Sequence, residues 1–334
     1  MDAPYLLFIG NETDALDAKT ASGVAYWRPN DCVGQLRSDN KCVDLGVPDM
    51  SLADGKKAGA KTLLIGIANE GGFIPDSWIP VFIEALEQGY NLASGLHARL
   101  HDIPALKILA DEKSLKLYDV RTPQNDIPIG TGIPRSGKRL LTVGTDCAVG
   151  KMFTVLALEK EMKQRGLNAD FRATGQTGIF IAGKGVPIDA VVSDFIAGAA
   201  EYISPAADDD HWDLIEGQGS LYHPSYAGVT LGLVHGSQPD NLILCHRMGQ
   251  TTIAGHPDYA IPPLEDVIKT YEAAAQLTNK NARVVGISLV TKGAQAEAAL
   301  AEIQAYEDRY SLPCFDPVRT GVSKMVDYLE TFSA

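Results

Sequence analysis

Short runs of almost purely apolar residues alternate along this chain with longer stretches in which apolar and polar residues recur at helical spacing. The runs RLLTVG (139–144), NLILCH (241–246) and RVVGISLV (283–290) are of the first kind, and KMFTVLALEKEMKQRG (151–166) is of the second. An apolar run without alternation is typical of a strand that is buried on both faces of a sheet. Strands of this type separated by helices predict parallel sheets covered on both sides. We therefore expect an α/β protein with doubly wound sheets.

Residues 121–138, RTPQNDIPIGTGIPRSGK, separate two such regions. They contain three prolines and three glycines and follow neither the helical nor the strand period. Segments of this composition are typical of domain boundaries. We predict an N-terminal domain at 1–122, a linker at 123–138 and a C-terminal domain at 139–334, each long enough to bury its own core. Within the first domain, PDSWIPVFIEALEQGYNLA (75–93) is interpreted as a helix.

The N-terminal domain has a Rossmann-like rhythm of strands and helices but lacks the dinucleotide-binding signature. Its first strand, YLLFIG (5–10), leads into NETDALDAK (11–19) rather than into G-x-G-x-x-G. The glycine that lets a pyrophosphate approach the backbone is therefore missing. We do not expect this domain to bind NAD.

The charge and the cysteines restrict the possible partners and the compartment. A formal net charge of −13 argues against nucleic acid or an anionic membrane as the main partner. The five cysteines are scattered without C-x-x-C spacing, which is typical of reduced thiols. The N-terminal residues lack the basic start of a secretory signal, and no apolar segment approaches the roughly 18 residues that cross a bilayer. We expect a cytoplasmic protein, and we also expect a homo-oligomer, a dimer or larger.

The sequence GTDCAVGKM (144–152) lies between a predicted strand and a predicted helix and ends in the Gly-Lys pair of a phosphate-binding loop. Backbone N–H groups, the helix dipole and the Lys151 charge would all favour an anion there. A plain strand-to-helix turn with a surface lysine is the alternative interpretation. The predicted phosphate-binding residues are Thr145, Asp146, Cys147, Ala148, Val149, Gly150, Lys151 and Met152.

Met152 stands where nucleotide hydrolases carry Ser or Thr. Without that hydroxyl, Mg²⁺ loses one of its protein ligands, and cleavage of a γ-phosphate loses its usual metal site. We therefore expect no metal. A loop that grips a diphosphate without reacting with it suits a carrier such as coenzyme A, whose chemistry takes place at the distant thioester.

The loop resembles that of dethiobiotin synthetase, G-T-D-T-x-V-G-K-T, from which Cys147 and Met152 depart. A second match is WDLIEGQG (212–219), which resembles the strand end of those enzymes where a glutamate, here Glu216, reaches towards the phosphates or their metal. The resemblance implies a P-loop fold of the dethiobiotin synthetase type for the C-terminal domain.

A broader resemblance covers nearly the whole chain. LLIGIANEGGFIPDSWIPVFIEALEQGYNLASGLHARLHD, GTDCAVGKM, ATGQTGIFIAGKGVPIDAVVSDFIAGAAE and EGQGSLYHPSY together are similar to a family long catalogued as a domain of unknown function. That family has a Rossmann-like N-terminal part and a P-loop C-terminal part, and its characterised members are D-glutamate N-acetyltransferases. The resemblance implies acetyl-CoA as the donor and D-glutamate, or a related small acidic amino acid, as the acceptor. It also implies that methionine after the loop lysine is usual.

Attack of an amine on a thioester needs a neutral amine, alignment and stabilisation of the oxyanion. The amine of an amino acid is protonated at neutral pH, so a general base is useful. The predicted catalytic residues are His223, Glu216 and Asp194. We favour His223, because it follows the Glu216 loop and an imidazole is neutral at working pH. Cys147 offers a covalent alternative, but a bound phosphate would keep its thiol far from the thioester.

An acidic acceptor also needs cationic partners for its carboxylates. Arg247 follows the strand NLILCH, and Arg172 flanks the loop ATGQTGIFIAGKG. Arginine forms the better fork for a carboxylate. Arg172 lies inside a predicted strand, however, and pairing with a structural acid is its alternative. Tyr222 completes the predicted substrate-binding residues, although tyrosines in such loops are more often half-buried anchors.

Two other functions remain open at this point. One is an ATP-dependent ligase of the dethiobiotin synthetase type, which the loop and Glu216 favour and Met152 opposes. The other is a nucleotide-sensing regulatory protein in which the loop only reports that a ligand is bound.

Overall fold

The computed structural model describes residues 1–123 and 126–331. Its strands are β1 (Tyr5–Gly10), β2 (Cys32–Arg37), β3 (Thr62–Ile65), β4 (Asn91–Ser94), β5 (Leu117–Asp119), β6 (Lys138–Gly144), β7 (Ala169–Arg172), β8 (Trp212–Ile215), β9 (Asn241–Arg247), β10 (Thr252–Ile253), β11 (His256–Ala260), β12 (Arg283–Val290) and β13 (Cys314–Phe315). Its α-helices are α1 (Lys19–Trp27), α2 (Leu52–Lys57), α3 (Ile79–Glu87), α4 (Pro104–Glu112), α5 (Lys151–Gln164), α6 (Gln176–Ala182), α7 (Ile196–Ile203), α8 (Ala227–Ser237), α9 (Leu264–Ala275), α10 (Ala296–Tyr310) and α11 (Ser323–Glu330). No helix in these residues is long and apolar enough to cross a bilayer.

The chain divides into two compact units. The first comprises residues 1–123 together with 175–187, and the second comprises the stretch that ends at Thr174 and the described residues from Ile188 onward. In the first unit, the inserted helix α6 packs against α1, where the hydroxyl oxygens of Thr20 and Thr177 lie 3.0 Å apart. No sequence pattern predicts that residues 175–187 belong to the first unit. The boundaries predicted for the two domains stay a prediction.

The sheet of the first unit has five parallel strands in the order β2-β1-β3-β4-β5. β1 and β3, at its centre, are buried along their whole lengths. The chain reverses its direction of winding beside β1, since β2 lies on one side of it and β3 on the other. This topology confirms the doubly wound sheet predicted from the apolar runs.

The sheet of the second unit has six parallel strands in the order β13-β12-β9-β6-β8-β7. β6 lies between β8 and β9, so the loops that follow these three strands meet at one edge of the sheet. Ligands of open α/β sheets bind at this carboxyl edge. A two-stranded antiparallel hairpin, β10–β11, follows β9.

One helix of the first unit is shorter than its sequence predicts. The stretch 75–93 was interpreted as a single helix, but α3 ends at Glu87 and residues 91–94 form β4. The helix cannot continue through Gly89, whose φ of +83° lies outside the helical region. The strand that follows is short, and pairing with β3 and β5 stabilises it rather than its own periodicity.

Candidate active site

The loop between β6 and α5 has the backbone shape that a phosphate cradle requires. Ala148 and Gly150 have φ values of +54° and +92°, which turn the chain sharply before the helix begins. Val149 is buried between them, and a Cβ added at Gly144 would lie 2.7 Å from its side chain. The first N–H groups of α5 have no partners inside the helix. The loop therefore presents backbone donors and the positive end of a helix dipole at the carboxyl edge of the sheet.

Lys151, the first residue of α5, turns its side chain back into this loop. It is only 7% exposed, and its Nζ donates a hydrogen bond of 2.7 Å to the backbone oxygen of Asp146. Burial lowers the pKa of Lys151, while nearby groups, among them Asp146 and Glu216, favour the charged form. A bound anion would add a further negative charge beside this buried lysine and so favour its ammonium form.

The end of β8 lies against the same lysine. An added Cβ at Gly217 would be 3.0 Å from Cδ of Lys151, which shows how closely the two approach. The preceding residue, Glu216, is buried, and its Oε2 accepts a 2.9 Å hydrogen bond from the backbone N–H of Thr174. The end of β8 and Lys151 thus lie close together, and the roles predicted for Glu216 and Lys151 stay predictions.

Asp146 joins the loop to the β10–β11 hairpin. Its Oδ1 accepts a hydrogen bond from the N–H of Cys147 at 2.6 Å. Its Oδ2 accepts one from the side chain of Gln250 at 2.5 Å and one from the N–H of Ala254 at 2.7 Å. Three donors therefore satisfy this fully buried carboxylate. Gln250 and Ala254 were not among the predicted site residues, because only tertiary folding brings the hairpin to the loop.

His223 lies beside the loop in a cluster of rings. Its ring is 4.4 Å from that of Tyr226 and 5.2 Å from that of His256, measured between centroids. A ring nitrogen of His223, a carboxylate oxygen of Asp146 and the sulfur of Cys147 all lie within 4.8 Å of one another. Burial lowers the pKa of His223, against the attraction of the Asp146 carboxylate. The imidazole is therefore neutral at neutral pH.

Asp146, Cys147 and His223 are residue types that can bind a metal ion, and their ligand atoms are close enough to share one. Nδ1 of His223 already accepts a 3.1 Å hydrogen bond from the N–H of Ser225. A neutral imidazole with its lone pair at Nδ1 carries its proton on Nε2, so that nitrogen has no lone pair for a metal. Asp146, in turn, already accepts three N–H donors. The group does not fit a metal site as it stands, and the expectation that no metal is used stays a prediction.

The loop is also joined to β9 through a second histidine. The Thr145 hydroxyl lies 2.9 Å from Nδ1 of His246, which is 4% exposed and stacks on Tyr306 at a centroid distance of 6.4 Å. Burial lowers the pKa of His246 to about 4. The ring is neutral in the folded protein and positions the first residue of the loop.

This shift predicts how stability depends on pH. An unfolded histidine has a pKa near 6.5. Between this pH and about pH 4, the unfolded chain therefore binds a proton at His246 that the folded chain does not bind. The contribution of His246 is therefore complete above about pH 6.5 and is lost as the pH falls towards 4. We expect the free energy of unfolding to fall less steeply over this range in His246→Gln than in the wild type, as measured by urea unfolding. Equal slopes in the two proteins would contradict the assignment.

The other predicted residues lie in different surroundings. Arg247 is exposed at the rim of the loop, and its Nη2 donates a 3.0 Å hydrogen bond to the carbonyl of Ala148. Tyr222 donates to the hydroxyl of Thr270 at 2.7 Å and is thereby anchored to α9. Asp194 lies on an exposed turn, and among the described residues no hydrogen bond or ion pair joins it to the loop.

Arg172 pairs with a buried acid. Its Nε donates to Oδ1 of Asp213 at 2.5 Å, and Nε2 of His211 lies 3.2 Å from the same oxygen. Asp213 is almost fully buried, so removing this guanidinium would leave an unpaired buried charge. The geometry favours the structural role over substrate binding, which for Arg172 stays an untested prediction.

Comparison with known proteins agrees with this arrangement. Residues 33–123 match the Rossmann-like domain, and residues 128–326 the P-loop domain, of the family described as domain of unknown function DUF1611. The chain belongs to this family. A crystal structure of a family protein from Anabaena variabilis is 35% identical, with a TM-score of 0.91 over 99% of this chain and 100% of that one. The predicted pairing of a Rossmann-like and a P-loop domain is thus confirmed.

The names of two curated relatives state an enzymatic activity. A protein from Tritonibacter scottomollicae named D-glutamate N-acetyltransferase is 51% identical over 329 residues, which cover 98% of this chain and 99% of that protein. A protein of the same name from a Pseudoalteromonas species is 48% identical over 323 residues, 97% of each chain. This family member is therefore similar along its whole length to enzymes that acetylate D-glutamate.

Proposed function

We propose that this chain is a D-glutamate N-acetyltransferase that takes its acetyl group from acetyl-CoA. The observation that carries the proposal is the similarity to two enzymes of that name at 51% and 48% identity over nearly the whole chain. Both relatives are matched over nearly their full lengths, so the similarity includes both domains. The loop geometry independently supports an anionic ligand.

The donor's diphosphate fits the loop between β6 and α5. Lys151 supplies the charge, and the backbone N–H groups at the start of α5 supply directed donors. Met152 takes the place of the metal-binding hydroxyl, which suits a phosphate group that is held but not cleaved. The thioester, at the far end of the pantetheine arm, would then react away from the loop.

The reaction itself is direct attack of the D-glutamate amine on the thioester carbonyl. The amide bond forms, the C–S bond breaks, and the coenzyme A thiol leaves. The amine must first lose a proton, and the predicted acceptors are His223, Glu216 and Asp194. Arg247 is the predicted partner for a substrate carboxylate, since its guanidinium is exposed at the rim of the loop.

A thiol-release assay tests this function. We expect free coenzyme A to appear when purified protein receives acetyl-CoA with D-glutamate, with much slower release for L-glutamate. Activity should need no ATP and should persist in EDTA. Release that requires ATP would identify a ligase, and the absence of any release over a panel of D- and L-amino acids would leave the regulatory function.

The setting of the enzyme is part of the same proposal. No disulfide joins any of the five cysteines, all of which lie in the described part of the chain, and this supports our proposal of a reducing compartment such as the cytoplasm. We propose a homo-oligomer, a dimer or larger, which sedimentation velocity would measure directly.

A further inference from the structure

His223 is held as one tautomer by its own loop. The N–H of Ser225 donates to Nδ1 over 3.1 Å, so this nitrogen must carry a lone pair. A neutral imidazole has one ring proton, which therefore lies on Nε2. A ring that accepts a proton at Nε2 must carry its own hydrogen on Nδ1. In that tautomer the Nδ1–H group and the N–H of Ser225 would be two donors that point at each other. The fold thus favours Nε2 as a hydrogen-bond donor rather than as a proton acceptor.

In the described part of the chain, this donor has no hydrogen-bond partner. Among residues 1–123 and 126–331, Nε2 of His223 makes no hydrogen bond, although the residue is only 5% exposed. A nitrogen of its ring lies within 4.8 Å of the Asp146 carboxylate and of the Cys147 sulfur, both in the loop that precedes α5. Asp146 already accepts three N–H groups and does not need a fourth. A donor that the described residues leave unpaired beside a phosphate cradle is available to an acceptor on the ligand.

The charges around the ring agree with a neutral donor. Asp146 favours the protonated ring, while Lys151 and His256 oppose it, and burial opposes it most. The thiol of Cys147 and the phenol of Tyr226 also lie beside the ring. The ring is therefore uncharged when a ligand arrives, and it adds a directed N–H rather than a second full charge beside Lys151.

We propose that His223 is a binding residue of the phosphate loop, whose Nε2–H donates to a phosphate oxygen of the bound coenzyme A. In this role it does not take the proton of the reacting amine, which departs from the base role predicted from the sequence. The inference rests on the proposed function, since it names a contact to that donor.

Two substitutions separate a donor from a base. His223→Gln keeps an N–H donor near the position of Nε2 but cannot act as a base, whereas His223→Phe keeps a ring against Tyr226 and removes the donor. We expect calorimetry with coenzyme A to show binding within about threefold of wild type for the glutamine variant. The phenylalanine variant should bind roughly tenfold to a hundredfold more weakly, the value of a hydrogen bond to a charged group. His256→Gln, which changes the neighbouring ring outside this group, serves as the control and should bind normally.

Measurements of kcat and of its pH dependence distinguish a hydrogen-bond donor from a general base. A donor predicts that His223→Gln keeps kcat and the wild-type pH profile. If this variant instead loses about 10²- to 10⁴-fold in kcat and the acid limb of its profile, His223 is a base and the proposal is overturned. Unchanged coenzyme A binding in His223→Phe, while Lys151→Ala binds weakly, would overturn it too and leave the proposed function intact. Failure of the wild type to bind coenzyme A would instead remove the proposed function.

A measurement on the unsubstituted protein guards against variants that do not fold. Long-range ¹H–¹⁵N correlation spectra of ¹⁵N-histidine-labelled protein report the tautomer of each ring. We expect His223, identified by its absence from the spectrum of His223→Gln, to be protonated at Nε2 and to stay neutral at pH 7. A ring protonated at Nδ1 would overturn the proposal without any assay of activity.

Discussion

Replacing Gly217 by alanine is expected to destabilise the second unit by about 4 kcal/mol, among the larger effects of a single substitution. An added Cβ would overlap the backbone oxygen of Thr142 on β6, and it would lie 3.0 Å from Cδ of Lys151. The N–H of Gly217 also donates to the Thr142 hydroxyl over 3.0 Å, so the two segments are held in contact. Backbone atoms cannot move aside as a flexible side chain can. β6 and the end of β8 must therefore separate, and the lysine must shift with them.

Urea unfolding monitored by circular dichroism measures this loss. Gly228→Ala is the matched control, since no atom lies within 4 Å of the Cβ that it would add to helix α8. Alanine is the better helix former, so this variant should be as stable as the wild type or slightly more so. Equal stability of Gly217→Ala and Gly228→Ala would show that the close approach of β6 and β8 is not required.

Replacing Lys151 by alanine is expected to weaken donor binding by roughly tenfold to a hundredfold, because one charge-assisted contact to phosphate contributes about 1.5–3 kcal/mol. The Nζ group lies inside the loop, 2.7 Å from the carbonyl of Asp146, and no other lysine stands at the start of α5. If the proposed function is right, the KM for acetyl-CoA should rise while the KM for D-glutamate changes little, since the proposal places only the donor's diphosphate in this loop.

Lys160→Ala provides the comparison, because this lysine lies on the same helix but is exposed. It should bind coenzyme A as the wild type does. Should Lys151→Ala also retain wild-type affinity in calorimetry, the loop would not be the donor site, and the phosphates would have to bind elsewhere.

Several parts of this fold could be predicted because their sequence patterns are local. β6, β9 and β12 coincide closely with apolar runs, since a strand buried on both faces needs no polar residue. β2, by contrast, has the mixed sequence CVGQLR and lies at the edge of its sheet, where only part of it is buried. An edge strand has no continuous apolar pattern, so its pairing with β1 decides its structure.

Some residues of the candidate site could likewise be predicted from local motifs, whereas others could not. The motif GTDCAVGKM identified the loop, and WDLIEG identified Glu216, because each is a strand followed by residues whose chemistry depends on that context. Arg172 was ambiguous in sequence, and the structure pairs it with Asp213, a residue 41 positions away. A pairing of this kind depends on the order of strands in the sheet, which no local pattern contains.

The sequence by itself determined the class of fold, the position of the loop between β6 and α5 and the residues that can carry charge there. These follow from periodicity, from glycines that permit tight turns and from a lysine at the start of a helix, all of which act over a few residues. Only the tertiary structure decided which groups remain available to a ligand. Gln250 and Ala254 satisfy Asp146, and Ser225 fixes the tautomer of His223, because hydrogen bonds are settled by whichever partners the folded chain brings within 3 Å or so.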